Sequence, residues 1–208
     1  MKIVFIRHTS VAVEKGICYG QTDVPLADSF PSEAEEVKKN LSDYKIDVAY
    51  TSPLSRAHKL AEFCGFPDAI PDKRLMEMDF GDWEMKRYDE ITDPRLQLWY
   101  DDFMNVPATG GESAMMQRDR FKSFLNSLDY SEDKTIAIFT HGGILIHALV
   151  MLKGLSYSEA FSLNPAYGSV LEFQTTTHKN TAIISATRFT LTAFCMSAYV
   201  SSLSLVPM

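Results

Sequence analysis

Cysteine is scarce in this sequence, and its arrangement excludes two kinds of structural site. The three cysteines are Cys18, Cys64 and Cys195, an odd number in which no two have the CxxC spacing. A disulfide framework or a zinc site built on cysteine pairs would need such pairing. We therefore expect reduced thiols, a cytoplasmic location and no metal site made from cysteine.

Positive charge is also in short supply. The 208 residues include 20 Lys and Arg against 27 Asp and Glu, so the formal net charge is -7. Nucleic acid and anionic membranes attract basic surfaces, and both are therefore disfavoured as partners. A small phosphorylated or otherwise anionic metabolite is compatible with this balance, provided that a local basic pocket receives it.

Long apolar runs are missing from most of the chain. Lys2 is followed by only four apolar residues before Arg7, which is too few for the core of a secretion signal. The exception is a C-terminal tail, residues 187–208, which carries no charge from Phe189 onward. The tail is long enough to cross a bilayer. Repeated Ser and Thr residues interrupt it, which favours a packed end over a membrane anchor.

Two apolar strands each end in a histidine. Lys2–Ile6 has the composition of a strand buried on both faces, and it leads directly into Arg7 and His8. The run 134–139 is similar and leads to His141. Parallel strands end at the same edge of a sheet, where open α/β folds bind their ligands. We therefore expect the two histidines to meet there, although either one alone could be an ordinary surface histidine.

A third strand is predicted to deliver an arginine to the same edge. Asp47–Tyr50 reads as a strand, and Ser52 and Pro53 then have the residue types of an N-cap and a first helical position. Arg56 falls in the first turn of that helix. A cation at a helix N-terminus opposes the helix dipole, so this position favours a nearby anion over a purely structural arginine. A solvated arginine is the alternative.

The remaining elements follow from caps and periodicity. Ser32 and Glu35 have the spacing of a capping box and predict a helix to about Asp43. The predicted elements after the middle of the chain are helices over 113–128, 144–153 and from Ser156, and a last strand over 168–175. The sequence therefore predicts one α/β domain, residues 1–186, followed by the tail.

The middle of the chain predicts a lid. Residues 78–112 are irregular, with Pro94 and Pro107 breaking any helical pattern, and we expect them to cover the sheet edge. Aromatic residues are concentrated there: Phe80, Trp83, Tyr88, Trp99, Tyr100 and Phe103. They could stack on the heterocyclic base of a substrate or form the small core of the lid itself, and we favour the second interpretation.

Four of these segments, taken in order, carry a resemblance. Arg7-His8-Thr9, Ser52–Ala57, the stretch around Glu77 and residues 140–143 together resemble the histidine phosphatase (phosphoglycerate-mutase-like) superfamily. The resemblance covers roughly residues 1–175. It implies an α/β fold, a three-layer α/β/α sandwich with a mostly parallel central sheet and a helical lid over the C-terminal sheet edge. It also implies a phosphohistidine intermediate.

The expected chemistry assigns a role to each motif residue. A neutral imidazole can attack phosphorus near pH 7, and we predict that His8 is this nucleophile, with a backbone carbonyl holding its other nitrogen. Arg7, Arg56 and His141 would stabilise the phosphoryl oxygens. Glu77 would protonate the leaving alcohol and then activate water, although neighbouring carboxylates compete for that role.

The expected binding residues and the absence of cofactors complete this assignment. We predict that Gln21, Thr22 and Gly142 contact the substrate. No cofactor and no metal is needed, since the five histidines (His8, His58, His141, His147 and His178) contain no i, i+4 pair.

Two positions depart from the superfamily pattern. The superfamily usually has glycine after its N-terminal histidine and asparagine six residues beyond that histidine, whereas this chain has Thr9 and Glu14. The loss of the asparagine removes one phosphate donor. Gln21 or Thr22 could supply the contact in its place.

Within the superfamily, the stretch 75–85 is most similar to the α-ribazole phosphatases of cobalamin synthesis. This resemblance predicts hydrolysis of α-ribazole 5′-phosphate. A broad phosphatase or mutase acting on sugar phosphates is the second interpretation, because the same residues serve both. A regulatory module on a decayed enzyme is the third. The sequence leaves the oligomeric state open, with a homodimer as one option.

Overall fold

The computed structural model describes residues 1–131, 133–178 and 181–190. Its centre is a six-stranded sheet in the order β3-β2-β4-β1-β5-β6. The strands are β1 Lys2–Arg7, β2 Val48–Thr51, β3 Ile70–Pro71, β4 Thr135–Thr140, β5 Val170–His178 and β6 Thr181–Thr190. The first four strands are parallel, and β5 and β6 are antiparallel additions beside β1.

Helices cover both faces of this sheet, and they connect the parallel strands. They are α1 Phe30–Leu41, α2 Ser55–Phe63, α3 Arg95–Asp101, α4 Ala114–Asn126, α5 Gly142–Lys153 and α6 Tyr157–Leu163. On one face Val4 and Ile6 of β1 pack with Val37 of α1 and Leu60 of α2. The alternate residues of β1 pack on α4, α5 and α6 across the other face. The result is the three-layer α/β/α sandwich expected from the resemblance.

The register of the central strands brings their carboxyl ends together. Arg7 lies opposite Thr140 in the parallel pair of β1 and β4. Thr51, the last residue of β2, lies opposite Phe139. The residues that follow these three strands therefore start from one edge of the sheet, as predicted.

Two predicted helix starts are wrong by two residues or more. Helix α1 begins at Phe30 after Ser29, and the Ser32 hydroxyl donates to the Ser29 carbonyl at 2.8 Å instead of capping. Helix α2 begins at Ser55 after Leu54, and Pro53 precedes it. The predicted N-cap residue determines the start of neither helix. Ser32 lies inside the first turn of α1, and the Ser52 hydroxyl before α2 has another partner. Glu159 and Ser156, in contrast, form the predicted capping box of α6.

The lid contains less regular helix than predicted. Residues 78–112 form two 3₁₀ turns, Gly81–Trp83 and Tyr88–Glu90, and the seven-residue helix α3. Trp83 and Trp99 are buried, at 1% and 7% exposure, and their rings pack edge to face with centroids 5.9 Å apart. Most of the lid aromatics therefore build the lid's own core, which is the interpretation we favoured.

The C-terminal strands extend beyond the predicted last strand. β5 continues to His178, and β6 pairs with it in antiparallel register from Thr190 opposite Val170. The predicted boundary between domain and tail, at 186/187, falls within β6. Residues 191–208 lie outside the described residues. Among the helices that are described, none has the length and apolar character needed to cross a membrane.

Candidate active site

The histidine after β1 is held by its backbone and by one ring nitrogen. The His8 N–H donates to the Thr140 carbonyl at 3.0 Å, and the His8 carbonyl accepts from Gly168 at 3.1 Å. Its Nδ1 lies 2.7 Å from the Thr9 carbonyl oxygen. A carbonyl can only accept, so Nδ1 carries the proton and Nε2 keeps its lone pair. The predicted carbonyl partner is therefore present.

The second histidine faces the first. His141 is the N-cap residue of α5, and its ring centroid lies 5.1 Å from that of His8. Its Nε2 is 2.7 Å from the Ser52 hydroxyl oxygen, which also accepts from the Leu54 N–H at 3.3 Å. The hydroxyl keeps its proton and a second lone pair, so it can pair with Nε2 in either neutral tautomer; when it donates to Nε2, the imidazole proton lies on Nδ1.

Both imidazoles are shielded from water and surrounded by positive charge. His8 is 3% exposed and His141 is 0% exposed. Burial first, and then the Arg56 guanidinium, hold the pKa of each histidine well below its ordinary value. Both rings are therefore neutral at pH 7, which leaves His8 with a usable lone pair.

Two buried guanidiniums flank the histidine pair. Arg7, at the end of β1, is 5% exposed and donates to the Pro165 carbonyl. Arg56, in the first turn of α2, is 0% exposed and donates to the carbonyls of Thr22, at 3.1 Å, and Gly20. Burial lowers the pKa of Arg56. Because burying a cation away from water is unfavourable, this arrangement favours an anion between the arginines.

Several buried polar atoms around the histidines have no hydrogen-bond partner within the described part of the chain. They are Thr9 Oγ1, Arg56 Nε, His141 Nδ1 and Ser169 Oγ. Buried polar groups are normally paired, and an unpaired set in one place needs a reason. His141 directly follows β4, Ser169 directly precedes β5, Thr9 lies two residues after β1 and Arg56 is the second residue of α2. Each atom can donate a hydrogen bond, His141 Nδ1 in the tautomer that carries its proton there. A bound oxyanion would provide acceptors for such donors.

One carboxylate lies beside the histidine pair, and it is the predicted one. Glu77 Oε1 accepts from the Met78 N–H at 3.0 Å and from Gln117 Nε2 at 2.8 Å. Its Oε2 accepts from the Gly143 N–H at 3.2 Å, in the first turn of α5 directly after His141. The side chain is only partly buried.

The loop that carries Glu77 is held by an ion pair that sequence reasoning missed. Arg120 in α4 donates to the carbonyls of Arg74, Met76 and Glu77 at 2.8, 2.7 and 2.8 Å. The same guanidinium makes two bonds to the Glu112 carboxylate at 2.8 and 2.9 Å. In the sequence, this contact is indicated only by a Gly-Gly-Glu-Ser stretch and by an arginine on an amphipathic helix. Such features are too common to identify a partner 43 residues away.

The predicted binding residues Gln21 and Thr22 lie in a loop that frames the site. Gln21 Nε2 donates to the Glu77 carbonyl at 3.1 Å, and the Thr22 carbonyl accepts from Arg56. Glu84 of the lid accepts from the N–H groups of residues 20, 21 and 22 at 3.1, 2.8 and 2.9 Å. Glu84 therefore orders the loop that receives Arg56.

The two glycines that open α5 allow the close approach of catalytic candidates. A Cβ at Gly143 would lie 2.4 Å from Glu77 Oε1, which is too close for any real contact. A Cβ at Gly142 would lie 3.2 Å from Cζ of Arg7. The predicted site residue Gly142 therefore packs directly against an arginine of the site.

The two departures from the superfamily pattern have different surroundings. Thr9 is fully buried beside His8, and its carbonyl fixes the imidazole. Glu14 is exposed, and its carbonyl accepts from the Ile17 N–H at 3.2 Å in a turn. The position where the superfamily usually has asparagine thus lies at the surface of the loop.

Comparison with known proteins finds relatives among phosphatases and phosphoglycerate mutase-like proteins. A phosphoglycerate mutase-like protein 4 of Arabidopsis thaliana is 32% identical over 158 residues, 69% of this chain and 67% of that protein. The adenosylcobalamin/alpha-ribazole phosphatase of Salmonella typhimurium is 27% identical over 153 residues, covering 70% and 76%. The crystal structure of phosphoglycerate mutase from Thermus thermophilus superposes with a TM-score of 0.67 at 25% identity, covering 90% of this chain and 99% of that one.

The family assignment rests on nearly the whole domain. The profile of the histidine phosphatase superfamily, branch 1, matches residues 3–185, a range that contains every residue of the site described above. The relatives include phosphatases and mutase-like proteins that share this fold. This chain therefore belongs to the histidine phosphatase superfamily and is a phosphoric monoester hydrolase.

Proposed function

We propose that the enzyme hydrolyses α-ribazole 5′-phosphate through a phosphohistidine formed on His8. The observation that supports the mechanism is the His8–Thr9 contact, which directs the proton to Nδ1 and leaves Nε2 free at the site. Two observations support the substrate, namely the likeness to the Salmonella typhimurium phosphatase and the resemblance of the stretch 75–85 around Glu77.

In the first step, His8 Nε2 attacks phosphorus and the bond from phosphorus to the alcohol oxygen breaks. Arg7 and Arg56 donate to the non-bridging oxygens, whose charge must be stabilised by groups already in place. His141 donates to these oxygens through Nδ1, in the tautomer whose Nε2 accepts from the Ser52 hydroxyl. Glu77 gives a proton to the departing alkoxide, so the alcohol leaves neutral.

In the second step, water attacks the phosphohistidine and the phosphorus–nitrogen bond breaks. Glu77, now a carboxylate, takes the proton from this water and is restored to its acid form. Inorganic phosphate leaves and His8 is neutral again. The three donors around the Glu77 carboxyl keep it beside the first turn of α5 throughout both steps.

The α-ribazole part of the proposal does not depend on stacking by the lid tryptophans. Trp83 and Trp99 are buried in the lid, and Trp83 Nε1 donates to Asp93 at 2.8 Å. The half-buried Phe80 lies closer, since a Cβ at Gly20 would meet its ring at 2.8 Å. We therefore expect the base to contact the Phe80 side of the loop 20–22.

A substrate panel tests this assignment. We expect kcat/KM for α-ribazole 5′-phosphate to exceed that for 3-phosphoglycerate, phosphoserine and p-nitrophenyl phosphate by at least about tenfold, the usual minimum for a pocket that recognises the alcohol. Equal or higher kcat/KM for 3-phosphoglycerate would overturn the substrate and favour the second candidate, an enzyme for acidic or sugar phosphates. The likeness to mutase-like proteins supports that candidate.

A further inference from the structure

Two tyrosines at the edge of the site have no role in the chemistry above. Tyr19 lies in the segment between β1 and α1, and Tyr167 lies in the segment between α6 and β5. Their hydroxyl oxygens are 2.8 Å apart, so one donates to the other. Both side chains are half-buried, and the bond joins residues 148 positions apart in the chain.

Each tyrosine ring lies against one of the two site arginines. Cζ of Arg7 is 4.3 Å from the centroid of the Tyr167 ring. Cζ of Arg56 is 5.6 Å from the centroid of the Tyr19 ring. Both distances fall within the range of cation–π attraction. The Tyr167 ring is also 5.3 Å from the His8 imidazole, so it forms one wall beside the nucleophile.

The same two segments supply the carbonyls that hold the arginines. Arg7 donates to Pro165, two residues before Tyr167. Arg56 donates to Gly20, the residue after Tyr19. The hydroxyl bond therefore ties together the two pieces of backbone on which the guanidiniums rest. Both pieces lie outside the six described strands. Backbone bonds from Gly168 to His8 and from Arg7 to Ser169 tie the Tyr167 segment to the end of β1, and the hydroxyl bond links the Tyr19 segment to it.

We infer that Tyr19 and Tyr167 are positioning residues that fix the spacing of Arg7 and Arg56 for one phosphate group. The inference rests on the proposed phosphate site at His8. Two guanidiniums can share the oxygens of one phosphoryl group only over a narrow range of separations, and a displacement of about 1 Å can reduce catalysis by about 10²-fold. A bond between the supporting segments limits such displacement before the substrate arrives.

The test uses the variants Tyr19→Phe, Tyr167→Phe and their double variant, which keep both rings and remove the hydroxyl bond. The probe is inorganic phosphate as a competitive inhibitor of p-nitrophenyl phosphate hydrolysis. We expect its Ki to rise about three- to tenfold in each single variant, the range for one lost hydrogen bond. The double variant should be no weaker than either single variant, because each removes the same bond.

Tyr130→Phe is the matched control. Its hydroxyl donates to the Leu125 carbonyl at 3.0 Å, away from both arginines, so its loss should leave the Ki of phosphate unchanged. Melting temperatures measured on all variants separate a general loss of stability from a change at the site. Tyr167→Leu, which also removes the ring from Arg7, should raise the Ki further than Tyr167→Phe.

Two results would overturn the inference. One is an unchanged Ki in the single variants, and the other is a double variant whose Ki change is the product of the two single changes. Failure of the proposed function would look different. It would appear as a lack of phosphate release by the unaltered enzyme, or as full activity of the His8→Ala variant, whatever the tyrosine variants do.

Discussion

The two sides of the active site are built in different ways. The histidine side, with His8, His141 and Arg56, is almost completely buried and starts from the ends of β1, β4 and β2. The glutamate side, with Glu77, is partly buried and lies on a loop between β3 and α3. Sheet hydrogen bonds hold the first side, whereas the Arg120–Glu112 ion pair and Gln117 hold the second.

This difference indicates which catalytic steps tolerate movement of the side chains that perform them. The nucleophile and the phosphate donors must be in place before any bond changes, and packed strands provide that rigidity. Glu77 must serve first as acid and then as base towards two different oxygen atoms. A carboxylate held by two backbone N–H groups and one side chain, on a partly buried loop, can adjust between these two tasks.

The largest effect is expected for Glu77→Gln. Loss of the acid and base should lower kcat for an alkyl phosphate by about 10²–10⁴-fold. p-Nitrophenyl phosphate has a leaving group that needs little protonation, so the variant should release a burst of nitrophenol and then turn over slowly. Rapid-mixing kinetics would show the burst. Asp82→Asn, a neighbouring carboxylate, is the control and should keep full activity; equal losses in both variants would remove Glu77 from its role.

On the histidine side, Arg56→Lys should cost somewhat less. Lysine keeps the charge but cannot bond both loop carbonyls and a phosphate at once. We expect kcat/KM to fall by about 10²-fold, corresponding to ~3 kcal/mol of transition-state stabilisation. Arg74→Lys is the control, because Arg74 pairs with Asp72 at 2.6 Å away from the histidines. A fall of less than about threefold in Arg56→Lys would show that this side tolerates more movement than proposed.

A smaller effect is expected for Arg120→Met, which removes the support of Glu77 without touching substrate. We predict about a tenfold decrease in kcat for alkyl phosphates and a smaller decrease for p-nitrophenyl phosphate, because only the proton transfer is disturbed. Arg118→Met is the matched control on the same helix, since Arg118 pairs with Asp119 at 2.7 Å. Equal losses for both classes of substrate would contradict a role through Glu77.

The smallest effect concerns stability and pH. Burial lowers the pKa of His147 to about 4, so below pH 6.5 the unfolded chain binds a proton that the folded protein does not. Stability is therefore lost as pH falls from 6.5 towards 4. In His147→Gln, the loss in unfolding free energy between pH 6.5 and 5 should be smaller by about 1–2 kcal/mol. Urea unfolding at the two pH values measures it, and an identical slope would contradict the shift.

The same contrast explains what the sequence could and could not predict. Apolar strands that end in His8 and His141 must bring them to one edge, because parallel register leaves no other arrangement. The support of Glu77 arises from a guanidinium 43 residues along the chain, which no local pattern reveals. Ser52 matched a helix cap by residue type, yet its hydroxyl bonds His141. Only the tertiary structure shows that this hydroxyl, which also accepts from the nearby Leu54 N–H, has a partner so far along the chain.

The edge strand shows a similar limit. The apolar composition of the tail suggested a boundary at 186/187, whereas backbone pairing with β5 carries β6 to Thr190. Composition reports how much surface can be buried, and it does not report which neighbouring strand provides hydrogen bonds. The lid aromatics were more predictable, because a cluster of large rings buries itself where a loop offers no other core.

The most direct test of the central claim is to identify the phosphorylated residue. Glu77→Gln enzyme is mixed with p-nitrophenyl phosphate, quenched in alkali, which preserves phosphohistidine, and digested for peptide mass spectrometry. The account predicts phosphate on His8 that is lost on acid treatment. It predicts no phosphopeptide in the double variant that carries both Glu77→Gln and His8→Ala. Phosphate on His141, or turnover that persists in the His8→Ala enzyme, would contradict it.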